Sequence, residues 1–297
     1  MITYLKLKAY GKINLALDVL RKREDGYHDV RMIMQTVGIY DQIELHRTVK
    51  PGIAVETNLS YLPVNENNLV HQAAKLLMDG ARIQDGIHIQ LKKFLPVSAG
   101  MAGGSSDAAA VLFGVNKMFR LGLSKEQLME QGVKIGADVP YCILRGTALS
   151  EGIGEKLTPL PPMPQCHLVI AKPGINVSTR YVYENLQADA LRPEQHPDID
   201  GMVDAIRQQD LIQVAGKLGN VLETVTAKKY PVIEEIKDVM RKKGALNALM
   251  SGSGPTVFGL FTELGQAKAA YEELRYGPSS DLAKQAYLTS FFHAQQS

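Results

Sequence analysis

The segment Pro96-Val97-Ser98-Ala99-Gly100-Met101-Ala102-Gly103-Gly104-Ser105-Ser106-Asp107 constrains the fold of this chain more than any other. It is nearly free of side-chain bulk and joins two segments of different period. Ile87–Leu91 alternates as a strand does, whereas Ala108, Val111, Leu112, Val115, Met118 and Phe119 form one stripe of a helix expected from about Ser105 to Phe119. A strand that enters a helix through small residues brings backbone N–H groups and the positive helix end close to an anion. Ser105 and Ser106 add hydroxyls suited to phosphate oxygens or to a magnesium ion carried on them. The same residues also suit a tight turn with close helix packing. Asp107 fits the helix dipole but would repel phosphate unless its carboxylate turns away.

Familiar nucleotide and hydrolase motifs are excluded by spelling. No Lys-Ser/Thr closes a G-x-x-x-x-G, the loop does not fit G-x-G-x-x-G, and the seven histidines form no H-E-x-x-H. G-x-S-x-G and H-R-D are also missing. Four further segments carry chemistry-bearing residues. In Gly136-Ala137-Asp138-Val139-Pro140 a carboxylate stands on an expected loop between Gly and Pro, where a general base or a solvated aspartate are both reasonable. Lys12 and Asn14 share the polar face of a strand, so the pair can line a pocket or simply face water. Tyr27 and His28 follow the Asp25-Gly26 turn, offering an aromatic plate and a hydrogen-bonding ring. Met250-Ser251-Gly252-Ser253-Gly254-Pro255-Thr256-Val257-Phe258 reads as a hairpin turn, or as a backbone nest that approaches a ligand or the first glycine loop.

A chain of 297 residues predicts about two domains, and the proline run Thr158–Pro164 marks the boundary. Before it, Lys12–Val19, Val30–Ile39 and Gln42–Arg47 read as strands of an antiparallel meander with an Asp-Gly turn, and Ile53–Glu56 reads as a short strand. Asn68–Met78 has helical spacing, and Ser124 with Gln127 forms a capping box. Beyond it, His167–Lys172, Ala245–Met250, Thr256–Phe261 and Ala286–Phe291 read as strands. Helices are expected at 200–208, 211–226, 232–243 and 266–274. Strands and helices segregate, which predicts an α+β fold. Lys and Arg number 33 against 31 Asp and Glu, leaving no excess charge for a nucleic-acid partner. Cys142 and Cys166 form neither a zinc pattern nor a needed disulfide. With no membrane span and no targeting pattern at Met1–Lys8, the expected location is the cytoplasm.

Taken in order, Ala9-Tyr10-Gly11-Lys12-Ile13-Asn14-Leu15, Pro96–Ser106 and Met250–Phe258 resemble the three motifs of the GHMP kinase superfamily. Within it, Lys12-Ile13-Asn14, Asp25-Gly26-Tyr27-His28, Gly103–Ala109 and Gly136–Pro140 are similar to the branch acting on a cytidine-diphospho sugar alcohol. The resemblance implies a two-domain α+β fold with its active site in the interdomain cleft. An N-terminal ATP-binding domain would span 1–158, and a C-terminal domain contributing to substrate binding would span 165–297. It further implies ATP-dependent phosphorylation of the 2-hydroxyl of that alcohol, in the methylerythritol phosphate route to isoprenoids. By motif, Asp138 would take the hydroxyl proton, while Lys12 would hold Asp138 and steady charge on the reacting groups. Pro96, Val97, Ser98, Ala99, Gly100, Met101, Ala102, Gly103, Gly104, Ser105 and Ser106 would cradle the ATP phosphates. Mg²⁺ would be carried by those phosphates, with no side chain assigned to it. Asn14, Tyr27 and His28 would meet the substrate, joined by Thr179 and Tyr183 from Pro173–Tyr183, where Tyr181 is the other choice for the second face of cytosine. Ser98 and Ala102 stand where the superfamily favours glycine, so backbone angles that only glycine adopts easily are in question there. A mevalonate- or homoserine-type kinase, or a nucleotide-binding regulator without catalysis, stays beside this reading.

Overall fold

The computed structural model describes residues 2–292. Two long strands, β1 (Tyr4–Lys22) and β2 (His28–Thr48), run through both compact units of the chain. Their connection is the expected turn: Arg23 N–H donates to Tyr27 O at 2.8 Å, and Gly26 takes φ +86°. Residues 11–19 of β1 are buried on both faces, so Lys12 and Asn14 are enclosed rather than solvated. β2 is one strand where two were expected. Val30–Gln35 pairs with Thr147–Gly152, and Gln42–Thr48 pairs with Gly86–Lys92. What reads as a break is therefore a change of partner. Gly38 lies at this change because a Cβ there would stand 2.7 Å from Thr289 Oγ1.

One unit comprises Met1–Gly11, Ile39–Val97 and Ala102–Arg145. In it β3 (Gly52–Thr57) runs parallel to β4 (Gly86–Lys92), which lies between β3 and β2. A parallel pair needs a crossover, and α1 (Leu69–Gly80), capped by Asn68, supplies it. α2 (Gly103–Phe119) packs against α1 and buries Ala108, Val111, Leu112, Val115 and Met118, the stripe read from the sequence. The Ser124–Gln127 capping box opens α3 (Lys125–Val133). The segment expected as a loop beyond it becomes α4 (Val139–Leu144), with Asp138 at its N-cap position. Pro140 sits in the first turn, where its missing N–H costs nothing.

The other unit comprises Lys12–Gly38, Ser98–Met101 and the chain from Gly146 onward. It adds the unforeseen hairpin of β5 (Thr147–Gly152) and β6 (Lys156–Pro159). Further on come β7 (His167–Lys172), α5 (Thr179–Asn185) and α6 (Ile199–Arg207). The helix expected over 211–226 is two, α7 (Leu211–Gly216) and α8 (Glu223–Lys229), separated by the two-residue β8 (Gly219–Asn220). Two glycines weaken the helix there, and Gly219–Asn220 pairs in parallel with Ala16–Leu17 of β1. A second sheet in the order β11-β7-β10-β9 is antiparallel throughout, with β9 (Asn247–Met250), β10 (Val257–Phe261) and β11 (Gln285–Ser290). α9 (Val232–Lys242) and α10 (Leu264–Arg275) pack on it.

A Cβ at Gly114 of α2 would stand 2.3 Å from Leu45 Cδ1 and 2.7 Å from Leu7 Cδ1. Gly→Ala inside a helix ordinarily stabilises by about 1 kcal/mol. Overpacking costs about 1–3 kcal/mol. Gly114→Ala is therefore expected to lower stability by about 1 kcal/mol in urea unfolding, and a gain would show that α2 has room to shift.

Candidate active site

The centre of β1 supplies the first cluster. The Lys12 ammonium donates to Asn14 Oδ1 at 2.6 Å and to the Gly100 carbonyl at 3.1 Å. Ser251 Oγ donates to the same carbonyl at 2.9 Å and accepts the Asn14 N–H at 3.2 Å. The Lys12 backbone N–H donates to Met101 O at 3.1 Å. Lys12, Asn14, Gly100 and Met101 thus meet in one unit, and the third glycine-rich segment closes on them. Its open alternatives resolve accordingly: Gly252 approaches Gly100, where a Cβ would stand 3.3 Å from the carbonyl oxygen. Asn220 holds that segment by donating to Met250 O at 2.9 Å and Gly252 O at 2.8 Å. Asn220 was not singled out in the sequence, and Ser251 only as part of its segment, because hydroxyl and amide contacts across so much chain leave no local pattern.

The loop itself is left-handed at Ser98 (φ +51°), Gly100 (φ +72°) and Ala102 (φ +53°). The two positions where glycine was missed therefore do adopt the angles that favour it, at about 1–2 kcal/mol each. Pro96 and Val97 lead into the loop from the first unit, and Ser98–Met101 belong to the second. From Ala102 onward the chain is again in the first unit. Ala102 is the N-cap of α2 and gives no side-chain cap, so the N–H groups of the first turn stay available to an anion. Gly104 is exposed, and Ser105 half-buried. Ser106 is buried, and its hydroxyl donates to Tyr10 O at 2.5 Å. Asp107 turns away from the loop to a buried ion pair with Lys93 at 2.6 Å. Asp138, half-buried ahead of α4, lies in the same unit as this helix start, and a Cβ on Gly136 would stand 4.0 Å from Ser105 Oγ.

The remaining residues lie in the second unit. Tyr27 is 58% exposed, and its N–H donates to Asp25 Oδ1 at 3.0 Å. Arg23 braces this turn through Asp25 at 2.8 Å. The His28 ring packs against Tyr183 with centroids 5.1 Å apart. Burial, helped by the Lys22 charge, moves the His28 imidazole below its ordinary value, which keeps the ring neutral at pH 7. Tyr181 is occupied otherwise, with Lys229 Nζ 3.7 Å from its ring centroid. Thr179 Oγ1 lies 2.8 Å from Ser253 Oγ, tying α5 to the third glycine-rich segment. Among the described residues no group of three or more His, Cys, Asp or Glu is arranged to hold a metal ion. None of the helices described is long and apolar enough to cross a membrane.

Residues 68–146 match the GHMP kinases N terminal domain, and residues 185–278 match the GHMP kinases C terminal domain. The chain is 58% identical over 291 residues to 4-diphosphocytidyl-2-C-methyl-D-erythritol kinase of Lachnoclostridium phytofermentans, covering 98% of each. It is 51% identical over 271 residues to the protein of that name from Clostridium perfringens, covering 91% of this chain and 93% of that one. A crystal structure of 4-(cytidine 5'-diphospho)-2C-methyl-D-erythritol kinase superposes with a TM-score of 0.81 at 29% identity, covering 98% of this chain and 100% of that one. The homoserine kinase of Cytophaga hutchinsonii shares the fold, with a TM-score of 0.77 at 19% identity and coverage of 98% and 96%.

A Cβ at Gly100 would stand 2.1 Å from the Ser251 carbonyl oxygen, whereas Gly122, with nearly the same φ of +71°, has nothing within 4 Å. Gly122→Ala is expected to cost about 1 kcal/mol from backbone strain alone. Gly100→Ala is expected to cost at least about 3 kcal/mol, because the clash is with backbone. Equal losses in denaturant unfolding would remove the contact with Ser251 as the cause.

Proposed function

The chain belongs to the GHMP kinases, and within them to the 4-diphosphocytidyl-2-C-methyl-D-erythritol kinases, and from this membership we propose how its residues divide the reaction. It transfers the terminal phosphoryl group of ATP to the 2-hydroxyl of 4-diphosphocytidyl-2-C-methyl-D-erythritol, giving the 2-phosphate and ADP in the methylerythritol phosphate route to isoprenoids. The observation that carries this is identity of 58% across 98% of both chains. We place the enzyme in the cytoplasm, with an ATP-binding domain over 1–158 and a substrate-contributing domain over 165–297.

Phosphoryl transfer asks a protein mainly for positioning and charge stabilisation. The uncapped first turn of α2 supports the phosphate role of Pro96–Ser106: its N–H groups and the helix dipole hold the polyphosphate, and the αL turns set the approach. A Mg²⁺ ion carried by the phosphates would neutralise part of their charge, with no side chain of this chain assigned to hold it. The alcohol oxygen attacks the terminal phosphorus, Asp138 accepts its proton, and ADP leaves. Lys12, aimed by Asn14 and the Gly100 carbonyl, steadies the charge developing on the transferred group. Asn14 and Thr179 line the alcohol side.

Cytosine is read by rings. Tyr27 is exposed for stacking, neutral His28 can donate and accept at the base edge, and Tyr183 gives the second face. Tyr183 is preferred to Tyr181 because Lys229 already covers the Tyr181 ring.

The test is ADP release with Mg-ATP and the cytidine substrate, beside mevalonate and homoserine. Asp138→Asn is expected to lower kcat by about 10²–10⁴-fold. Tyr27→Ala is expected to raise KM for the alcohol by roughly 5–100-fold, the worth of one base stack, and to leave KM for ATP within about twofold. An undiminished kcat in Asp138→Asn would remove it from the reaction. An unchanged alcohol KM in Tyr27→Ala would discard the ring assignment.

A further inference from the structure

Asp41 of β2, Lys93 just beyond β4 and Asp107 of α2 are all buried, and the reaction as assigned uses none of them. Lys93 Nζ donates to Asp107 Oδ2 at 2.6 Å and to Asp41 Oδ2. Asp41 Oδ1 also accepts the N–H groups of Phe94 at 2.5 Å and Leu95 at 2.8 Å, on the stretch leading to Pro96. Asp107 lies one helical turn beyond Gly103, on the same face of α2. A Cβ on Gly103 would stand 3.2 Å from Lys93 Nζ and 3.8 Å from Asp41 Oδ2, so the ammonium lies directly beneath the first residue of the helix.

The charges do not balance if both carboxyls are ionised. One ammonium then faces two carboxylates, and a buried negative charge stands behind the helix start that must hold a polyanion. Asp107 Oδ1 is buried with no hydrogen-bond partner, an arrangement that suits a neutral carboxyl far better than a carboxylate. Burial holds Asp107 well above the usual carboxylate range; Lys93 pulls the other way, and the Asp41 charge adds to the rise. Burial works against the Lys93 charge, but the adjoining Asp107 and Asp41 carboxyls raise its pKa; once Asp107 holds a proton, the Asp41 carboxylate is the counter-charge and Asp107 Oδ2 a hydrogen-bond acceptor. Asp41 and Lys93 are the charged groups acting on Asp107. With a proton kept on Asp107, the triad is neutral.

We propose that Asp41, Lys93 and Asp107 are positioning residues whose zero net charge sets the affinity of the first turn of α2 for the phosphates of ATP, leaving that for the alcohol unaffected. This rests on the assignment of that turn to the phosphates. Stability does not report on it, because stranding one member of a buried ion cluster destabilises the fold whatever it does to the nucleotide. Nucleotide affinity does.

The experiment is steady-state kinetics on the full chain, with KM measured separately for ATP and for the alcohol. Lys93→Met strands the Asp41 charge and is expected to raise KM for ATP about tenfold or more, with alcohol KM within about twofold. Adding Asp41→Asn removes that charge while its amide oxygen still accepts the Phe94 and Leu95 N–H groups. KM for ATP is then expected back within about threefold of wild type. The proposal is overturned by an unchanged ATP KM in Lys93→Met, by equal rises in both KM values, or by a double variant no better than the single one. If Lys93→Met does not melt cooperatively, the double variant decides alone, and an ATP KM more than about tenfold above wild type overturns the triad. Ser105→Glu separates this from the underlying assignment by placing a negative charge in the loop itself. An unchanged ATP KM there sinks the loop assignment, whereas a raised one beside an unaffected Lys93→Met sinks only the triad.

Discussion

A lysine in the middle of a strand buried on both faces is the constraint from which much else follows. An ammonium withdrawn from water needs oxygen acceptors close by, and β1 provides one two residues on, in Asn14. The next comes from outside the strand: the Gly100 carbonyl, which a loop must deliver to within 3.1 Å. Ser251 fixes the same carbonyl from a second direction. Three segments far apart in the chain are thereby held to one oxygen atom, and the two glycine-rich ones are short of side-chain bulk where they approach. Their small residues are thus explained partly by this convergence, before any ligand is considered.

The left-handed turns at Ser98 and Ala102 belong to the same convergence. A non-glycine residue adopts that conformation at a cost of about 1–2 kcal/mol. Neighbouring contacts therefore have to over-determine the loop for it to persist. Lys12 N–H on Met101 O, Lys12 Nζ and Ser251 Oγ on Gly100 O, and Ser106 N–H on Ala102 O are such contacts. The result is a loop set in shape by its surroundings.

Features carried by short-range pattern were legible in the sequence. The α2 stripe, the Ser124–Gln127 capping box, the Asp25-Gly26 turn and the strands on either side of Ser251–Pro255 all depend on neighbours within a few residues. Features that depend on distant partners were not. Gly219–Asn220 pairs with β1 across some two hundred residues, and β2 changes partner without changing conformation, so neither leaves a periodic signature. α4 was hidden by being only six residues long with a proline in its first turn. At the site, Lys12 and Asn14 were readable as a shared strand face, but their burial was not, because the cover comes from Ser251 and Gly100. Tyr27 and His28 were readable as an aromatic plate and a hydrogen-bonding ring, but their link to cytosine, and Tyr183 altogether, came only through the family resemblance. Asp107 was read against the helix dipole, whereas tertiary packing joins it to Lys93 and Asp41.

The grip of Ser251 on the Gly100 carbonyl also bears on how the molecule is made. The ribosome releases Gly100 long before Ser251, and during that interval one of the two groups fixing the loop carbonyl does not yet exist. Domains emerging at about 5–20 residues per second leave a window of several seconds or more. Throughout it the helix α2 can form from local signals while the loop ahead of it lacks its final shape. The final shape of the loop is therefore a late event in biosynthesis, coming with the β9–β10 hairpin rather than with the glycine-rich segment itself.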